Sequence, residues 1–480
     1  MNSSLDDYIS GVIEKGDEGS RLLAARAAPT LKNSPYVQII NNGMNGLSVL
    51  RFPEDKCVVV HSAGGRRWEE DVEKHAASLV KLLVDDAFAI GATPIAFADV
   101  IDSSTGDIGV LNKIMDGLVS EANRYGLAIM NGENAILGER ITRVANVSGT
   151  MISIMDKTEL HRPIDVFDEE GISYAAFDHE NKPAFINSDG RGTKSEFDER
   201  LRRYGRGIYD FLAMNLDDCI KKGATAKAVS GVVETSGLIP LGELQENADK
   251  WFHEQGIACI LQPEDVGDRL QSYKPGVPAY NLSGSVVSII DEEQLRNPLR
   301  PKVGDAIVAI SGKPNPRSNG ITAKRKIMID RFGLEWHTTP EGKDYIEYLG
   351  EPSIVLYPVF RELLDRGLAT SFYHMSGGAY EGKLAQPLAK EGLFARLEGL
   401  FEPDRREEFF VEASGMSVRD AYRKWPMGND GFITTINPEG AINLISSHGY
   451  KARRVGIIAR AIDSVSLEIE AYNGETISLP

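Results

Sequence analysis

The sequence predicts an α+β / α/β chain in which one α+β unit is used twice, forming an intrachain pseudo-dimer core, and is followed by a single carboxy-terminal α/β domain. Two observations carry this prediction. A pattern of residues recurs at matching spacing in two successive segments, and self-similarity over such a range marks repeated folding units. The length of 480 residues also exceeds what one ordinary core fills, so several domains are expected. The boundaries drawn from the repeat are 1–156, 157–295 and 302–480.

The repeat has two collinear parts. Asp85-Asp86, followed by Gly91-Ala92-Thr93, recurs as Asp217-Asp218 followed by Gly223-Ala224-Thr225. Downstream, Asn146, Ser148, Gly149, Ser153, Ile154 and Asp156 recur as Asn281, Ser283, Gly284, Ser288, Ile289 and Asp291. Periodicity assigns the elements of the first segment in order. Val58 to Val60 reads as a strand, and Val72, Ala76, Leu79, Leu83, Ala87 and Ile90 share one helical face. A strand over Pro94 to Val100, a helix through Leu111, Met115, Leu118 and Ala122, and strands at Leu127 to Met130 and Ile141 to Met155 complete it. The second segment gives the same succession: strand at Ala184 to Ile186, helix around Ile208 to Ile220, strand at Ala226 to Val233, helix near Leu241 to Gln255, strands at Ile257 and Tyr280. Each segment is expected to form an open sheet with helices on one face, and two such sheets bury their uncovered faces or edges against each other. A Pro/Arg-rich link, Arg296 to Gly304, leads to the last domain, with strands at Ala306 to Ile310, Ala369 to Met375, Phe432 to Ile436 and Arg454 to Ile458.

Composition narrows the function classes. A formal net charge of -17 repels polyanions, so nucleic acid and anionic membrane surfaces are not expected partners. The basic runs Arg200 to Arg206 and Lys324 to Lys326 read as solvated helix faces. An anionic small molecule stays compatible with this charge, because backbone N–H groups and a metal ion bind phosphate locally. Cys57, Cys219 and Cys259 form no short-spaced metal motif, which suits buried thiols in a reducing compartment. The first residues have neither a basic flank nor an apolar run, and no stretch is apolar enough to span a bilayer, so the cytoplasm is the expected location.

Several loops carry residue types suited to phosphate chemistry. Asn187-Ser188-Asp189-Gly190-Arg191-Gly192-Thr193-Lys194 follows a predicted strand; its glycines let backbone approach a phosphate, Lys194 offers a point charge and Asp189 a Mg²⁺ ligand. A plain Asp-Gly hairpin is the bland alternative. Asp217 and Asp218 sit at a helix end among Leu212, Met214 and Leu216, where a buried carboxylate needs a metal or a partner, or else the helix end is solvated. Arg317-Ser318-Asn319-Gly320 follows a strand and opens a helix, a geometry for anions or simply an N-cap. His374-Met375-Ser376-Gly377-Gly378 and Pro426-Met427-Gly428 are turns flanking other strands.

Taken in order, these segments resemble the AIR synthase family, phosphoribosylformylglycinamidine cyclo-ligase. The carrying motifs are the Asp189 to Lys194 loop, Met214-Asn215-x-Asp217-Asp218, Ser318-Asn319-Gly320, His374-x-Ser376-Gly377-Gly378 and Met427-Gly428, over about Ala184 to Arg460. The first segment is similar to that family's amino-terminal domain again, through Asn42 to Phe52, Asp85-Asp86 and Asn131-Gly132-Glu133-Asn134. The resemblance implies two amino-terminal-type domains paired within one chain and one carboxy-terminal domain. It implies ATP and Mg²⁺ as cofactors and a ribonucleotide substrate, formylglycinamidine ribonucleotide. ATP phosphorylates its formyl oxygen, and attack by the amidine nitrogen then closes an imidazole, yielding aminoimidazole ribonucleotide for purine biosynthesis. Asp189 and Lys194 become the catalytic candidates. ATP falls to Asp189, Gly190, Gly192, Thr193 and Lys194 with Asn131 to Asn134, the metal to Asp189, Asp217, Asp218 and Glu133, and the substrate to Ser318, Asn319, Gly320, His374, Ser376, Gly377, Gly378, Met427 and Gly428.

The departures are complementary. In the first segment the phosphate loop reads His61-Ser62-Ala63-Gly64-Gly65-Arg66-Arg67, without the aspartate or the Thr-Lys pair. In the second, the counterpart of Asn131 to Asn134 reads Gln262-Pro263-Glu264-Asp265. One composite nucleotide site is therefore expected, taking its loop from the second segment and Glu133 from the first. Arg317 and Pro426 replace residues common in the family, which leaves open another ATP-dependent synthase or kinase with a different small substrate, or a nucleotide-binding scaffold. A monomer closed by its internal pseudo-dimer and a homodimer are both compatible with this plan.

Overall fold

A computed structural model describes residues 5–40, 47–65, 70–169, 171–462 and 464–480. Helix α1 (Leu5–Ala27) opens the described chain. The chain divides into two compact units: Ser10–Phe211 with Ala224–Arg296, and Met1–Ile9 with Leu212–Gly223 and Asn297–Pro480.

The larger unit holds strands β1 (Val37–Ile40), β2 (Leu47–Leu50), β3 (Lys56–Gly64), β4 (Thr93–Ser103), β5 (Ala128–Ile136), β6 (Ala145–Asp156), β7 (Ile164–Glu169), β8 (Ile172–Phe177), β9 (Ala184–Gly190), β10 (Thr225–Thr235), β11 (Ala258–Asp265) and β12 (Tyr280–Ile289). Its helices include α2 (Val72–Ala89), α3 (Ile108–Tyr125) and the short α4 (Ser195–Leu201); helix α5 (Gly207–Ile220) starts here, and α6 (Leu241–Gln255) and α7 (Glu292–Arg296) follow. Local chemistry sets these limits. The Asp71 and Asp107 carboxylates accept backbone N–H bonds at the starts of α2 and α3. Gly126, at φ +71°, lets α3 end in a left-handed turn that other residues resist. Val72, Ala76, Leu79, Val80, Leu83, Val84 and Ala87 form the buried face of α2, as their spacing requires.

Two six-stranded sheets result, ordered β5-β4-β6-β3-β8-β7 and β1-β2-β9-β12-β10-β11. In each, one pair is parallel, β4 with β5 and β10 with β11, and the remaining pairs are antiparallel. The order β5-β4-β6-β3 thus matches β11-β10-β12-β9 strand for strand. Helices α2 and α3 cover one face of the first sheet through Leu79, Leu83, Leu111, Ile114 and Leu118. The two sheets share a core in which Val58, Val60, Ile152 and Ala175 join Ile186, Ala228, Ile260 and Val287. Truncating one such buried leucine or isoleucine costs about 2–5 kcal/mol.

The sheets do not divide at residue 156. Beyond that boundary, β8 pairs with β3 and β7 with β8, whereas before it β2 pairs with β9 and β1 with β2. Each sheet therefore borrows its outer strands from the other segment.

The smaller unit contains β13 (Ala306–Ser311), α8 (Ile321–Phe332), α9 (Pro340–Leu349), α10 (Tyr357–Asp365), β14 (Ser371–His374), α11 (Gln386–Lys390), β15 (Leu393–Leu397), α12 (Arg405–Ser414), α13 (Val418–Lys424), β16 (Gly431–Thr435), α14 (Pro438–Ser447), β17 (Lys451–Arg460), β18 (Leu467–Glu470) and β19 (Thr476–Leu479). Its strands form one seven-stranded sheet, ordered β14-β16-β13-β17-β15-β18-β19. Trp336 and Trp425 are fully buried in it. Among the described residues no helix is long and apolar enough to cross a membrane.

Candidate functional site

In the larger unit, β9 delivers Asp189 and Gly190 to the start of a tight turn, Gly192–Lys194, that runs straight into α4. Gly192 has φ +64°, the left-handed conformation that glycine adopts without strain. The Asp189 carboxylate accepts the Gly190 N–H at 2.7 Å and stays half-buried. Strand β5 lies alongside: the Asn131 side-chain amide donates to the Ile186 carbonyl at 2.8 Å, and a methyl on Gly192 would stand 3.3 Å from Leu137. Residues 131–134 and the Asp189 loop, far apart in sequence, are thus neighbours within this unit. Glu133 is half-buried, Gly132 exposed and Asn134 buried.

Beyond Gly190 the loop closes inward, and residues 191–200 are all buried. Lys194 is 0% exposed and its ammonium lies 2.7 Å from Asp210. Arg191 bridges Asp210 at 3.1 Å and Asp198 at 2.6 Å, and the Tyr280 hydroxyl donates to Asp198. Arg140 forks onto Glu199 at 2.7 and 3.1 Å, and Arg200 pairs with Glu196 at 2.7 Å. Four cations meet four carboxylates, which is how charges persist in a low-dielectric interior. Burial pulls the Lys194 ammonium below its ordinary pKa, with Asp210 opposing the pull. Contact between Lys194 and a phosphate requires the Asp210 pair to open. Thr193, beside it, is also buried.

In the smaller unit the last turn of α5 carries Asp217 and Asp218. Asp217 accepts the backbone N–H groups of Leu356 and Tyr357 at 2.8 Å each on one oxygen, and Arg317 at 3.2 Å on the other. Burial pushes its pKa up to about 7, against Arg317 and those N–H groups. Asp218 behaves oppositely. Burial disfavours its charge, but Lys221, His374 and Lys383 outweigh that and hold its pKa well below the usual range. The His374 Nε2–H donates to Asp218 at 2.9 Å; burial lowers the imidazole pKa to about 3, against the pull of the Asp218 carboxylate.

Arg317 also pairs with Asp430 at 3.4 Å, and Asp430 accepts the Gly312 N–H at 2.8 Å. The backbone of Arg317, at φ +51°, is held in a sparsely populated region, as is that of Met427 at φ +47°. Ser318 leads to Asn319, whose amide donates to the Ser376 carbonyl at 2.8 Å, tying the loop before α8 to the turn after β14. Gly320, at φ +65°, has no room for a side chain, because a methyl there would fall 2.1 Å from the Trp425 ring nitrogen. Gly377 and Gly378 are exposed, whereas Met427 is buried and Gly428 backs onto the Glu402 carbonyl. A cavity of about 490 Å³ opens beside these loops, lined in part by Gly312, Asn315, Phe401, Gly428, Lys451 and Arg453.

The structure gathers the expected residues into two sets. Asn131 to Asn134 and Asp189 to Lys194 fall in the larger unit, and Asp217, Asp218, Ser318 to Gly320, His374, Ser376 to Gly378, Met427 and Gly428 in the smaller. Asn42 and the Arg66-Arg67 end of the first segment's loop lie outside the described residues. Among the described residues no three acidic, histidine or cysteine side chains are arranged to hold a metal. Motif reading missed Arg140, Asp198, Asp210 and Tyr280, because they complete a charge network assembled from distant segments. Only Asp198 carried a signal, the run of charge from Glu196 to Arg200.

This arrangement defines an α+β protein with three mixed sheets, similar over part of its length to AIR-synthase-related proteins. Residues 46–155 match the family model for AIR synthase related protein, N-terminal domain. The chain is 24% identical over 309 residues to the phosphoribosylformylglycinamidine cyclo-ligase of Thermococcus gammatolerans, covering 62% of this chain and 85% of that one. It is likewise 24% identical over 317 residues to the phosphoribosylformylglycinamidine cyclo-ligase of Pyrococcus furiosus, covering 63% and 86%. Among solved structures, thiamine-monophosphate kinase from Stenotrophomonas maltophilia K279a aligns with a TM-score of 0.44 at 14% identity, over 66% of this chain and 93% of that one. The chain is thus a distant relative of the cyclo-ligases.

Proposed function

We propose that this protein is an ATP-dependent ligase that converts formylglycinamidine ribonucleotide to aminoimidazole ribonucleotide, using one composite nucleotide site on a core that arose by tandem duplication. The observation that carries the composite site is the Asn131 bond to Ile186, which sets Glu133 beside the strand that ends in Asp189. The duplication is supported by the collinear repeat and by the matched strand orders β5-β4-β6-β3 and β11-β10-β12-β9.

The half-buried carboxylates of Asp189 and Glu133 suit Mg²⁺, a hard cation that takes few protein ligands and keeps waters and phosphate oxygens. When bound with nucleotide, Mg²⁺ supplies charge neutralisation at the phosphates. The backbone around Gly190 to Gly192 serves as an N–H cradle. Lys194 and Arg191 fix the loop through Asp210, and Lys194 reaches phosphate only if that pair opens. Asp217 is occupied by Arg317 and two backbone N–H groups, so its role is to hold the loops around Arg317 and Tyr357. Substrate recognition falls to Ser318, Asn319, Gly320, His374, Ser376, Gly377, Gly378, Met427 and Gly428.

A second reading is favoured by Arg317. Its double pairing with Asp217 and Asp430 fixes the loop before Ser318. A related ATP-dependent synthase or kinase with another small anionic substrate fits that loop equally. The deciding experiment supplies Mg-ATP and formylglycinamidine ribonucleotide and follows phosphate release and aminoimidazole ribonucleotide together, with Asp189→Asn as control. Product formation that is lost in the control supports the cyclo-ligase. ATP binding without substrate-stimulated turnover moves the reading to the second class.

A further inference from the structure

The repeat that organises the larger unit sets four oxygen-bearing side chains at its centre for which the proposed reaction has no use. Asp102 follows Gly91 by the same number of residues as Glu234 follows Gly223, and Asn146 corresponds to Asn281. Asp102 and Asn146 are direct cross-strand partners on β4 and β6, and Glu234 and Asn281 are direct partners on β10 and β12. Cross-strand partners project from the same face of their sheet. The two faces meet here: the Asn281 amide donates to Asp102 at 2.6 Å, and Ser148 and Ser283, the next matched pair, share a 2.8 Å hydrogen bond.

All four residues are sealed, with Asp102 3% and Glu234 2% exposed. Among the described residues, one oxygen of each carboxylate, Asp102 Oδ1 and Glu234 Oε2, has no hydrogen-bond partner, and neither have the amide oxygens of Asn146 and Asn281 or the Asn146 amide nitrogen. Buried polar atoms are rarely left unpaired, because each gives up its bonds to water with nothing in return. Arg269 offsets the Glu234 charge and Arg140 that of Asp102 only from a distance, since among the described residues neither pairs with these carboxylates. Arg140 is committed to Glu199, and Arg269 donates to the carbonyls of Gly65 and Val266. Burial pushes Asp102 up to about 8, with the Glu234 charge adding to the effect.

We propose that Asp102, Glu234, Asn146 and Asn281 bind one hard divalent cation at the centre of the larger unit, clamping its two sheets together independently of nucleotide. Two carboxylates neutralise the charge, and all four donors are oxygens, the set that Mg²⁺, Mn²⁺ or Ca²⁺ takes.

The test uses full-length protein stripped with chelator, desalted and kept free of nucleotide. Mg²⁺, Mn²⁺ and Ca²⁺ are added separately while thermal midpoint and bound metal per chain are measured. The expected result is one bound equivalent and a midpoint raised by several degrees with at least one of the three ions. Both effects should disappear in Glu234→Gln or, where that variant does not fold, in Asn146→Ser, and persist in Asp189→Asn. Absence of bound metal, or binding unchanged in Glu234→Gln or Asn146→Ser, overturns the proposal. Loss in Asp189→Asn with retention in Glu234→Gln assigns the ion to the nucleotide loop and overturns it equally.

Discussion

The Asn131 side chain donates a 2.8 Å hydrogen bond to the carbonyl oxygen of Ile186, joining β5 of one sheet to β9 of the other. Through that bond a segment resembling one half of a nucleotide site is held against a loop resembling the other half. Neither segment carries both parts alone: His61 to Gly65 lacks the aspartate of the loop, and in the second segment the place of Asn131 to Asn134 is taken by Gln262 to Asp265.

Lys194 is expected to act as a structural cation in the unliganded protein. Lys194→Met removes the 2.7 Å ammonium partner of the buried Asp210 carboxylate and should cost about 3 kcal/mol, in the range for breaking a buried pair. The double variant Lys194→Met/Asp210→Asn should recover part of that loss. Denaturant unfolding of the two variants and the parent measures both numbers, and a stability unchanged in Lys194→Met contradicts the pairing.

Gly320 is expected to resist any side chain. Gly320→Ala meets both a left-handed backbone and the Trp425 ring, and should destabilise by about 1–3 kcal/mol through strain and overpacking. Trp425 fluorescence during unfolding reports it, because the ring has to move to admit the methyl group.

Arg317 neutralises two buried carboxylates, Asp217 and Asp430. Arg317→Leu should therefore cost about 3–5 kcal/mol, more than an isolated surface pair could. Adding Asp430→Asn to it should restore part of the stability, whereas simple additivity of the two losses would mean that the residues do not share a network.

His61 sets a pH dependence. Its ring is buried on β3, hydrogen-bonded to the Leu83 carbonyl at 3.1 Å, and burial lowers its pKa to about 4. The unfolded chain, with an ordinary value near 6.5, binds this proton more readily than the folded chain does. The contribution of His61 is thus complete above pH 6.5 and is lost as pH falls toward 4. Unfolding free energies of His61→Gln and the parent should converge as pH drops through that window. A difference between them that is constant with pH contradicts the assignment.

Much of this architecture was legible because amphipathic periods were long and the repeat was dense. Helices α2 and α3, strands β3, β4 and β10, and the order of elements in both segments follow from burial of one face. The exchange of outer strands was not legible. Strands β7 and β8 form a hairpin about Gly171 whose residues specify a half-buried surface, and β1 and β2 are short. Nothing local in such strands says which of two similar sheets they extend. The same limit hid β15, β18 and β19, which are only four or five residues long. At the candidate site, the glycines and carboxylates of Asp189 to Lys194 announced themselves, but the inward turn of Lys194 did not. It depends on Asp210, Arg191 and Asp198, whose pairing is a tertiary fact. Similarly, Asp102 and Glu234 hold matching places in the repeat, although their meeting becomes visible only once the sheets face each other.

The central claim is that one nucleotide site draws on both halves of the larger unit, and a double-mutant cycle on Mg-ATP affinity tests it most directly. Calorimetric binding would be measured for the parent, Glu133→Gln, Asp189→Asn and the double variant, with folding checked by thermal unfolding. The account predicts that each single change weakens binding about tenfold or more and that the double change falls short of their sum, as residues sharing one site do. Strict additivity, or an affinity untouched by Glu133→Gln, would contradict a composite site.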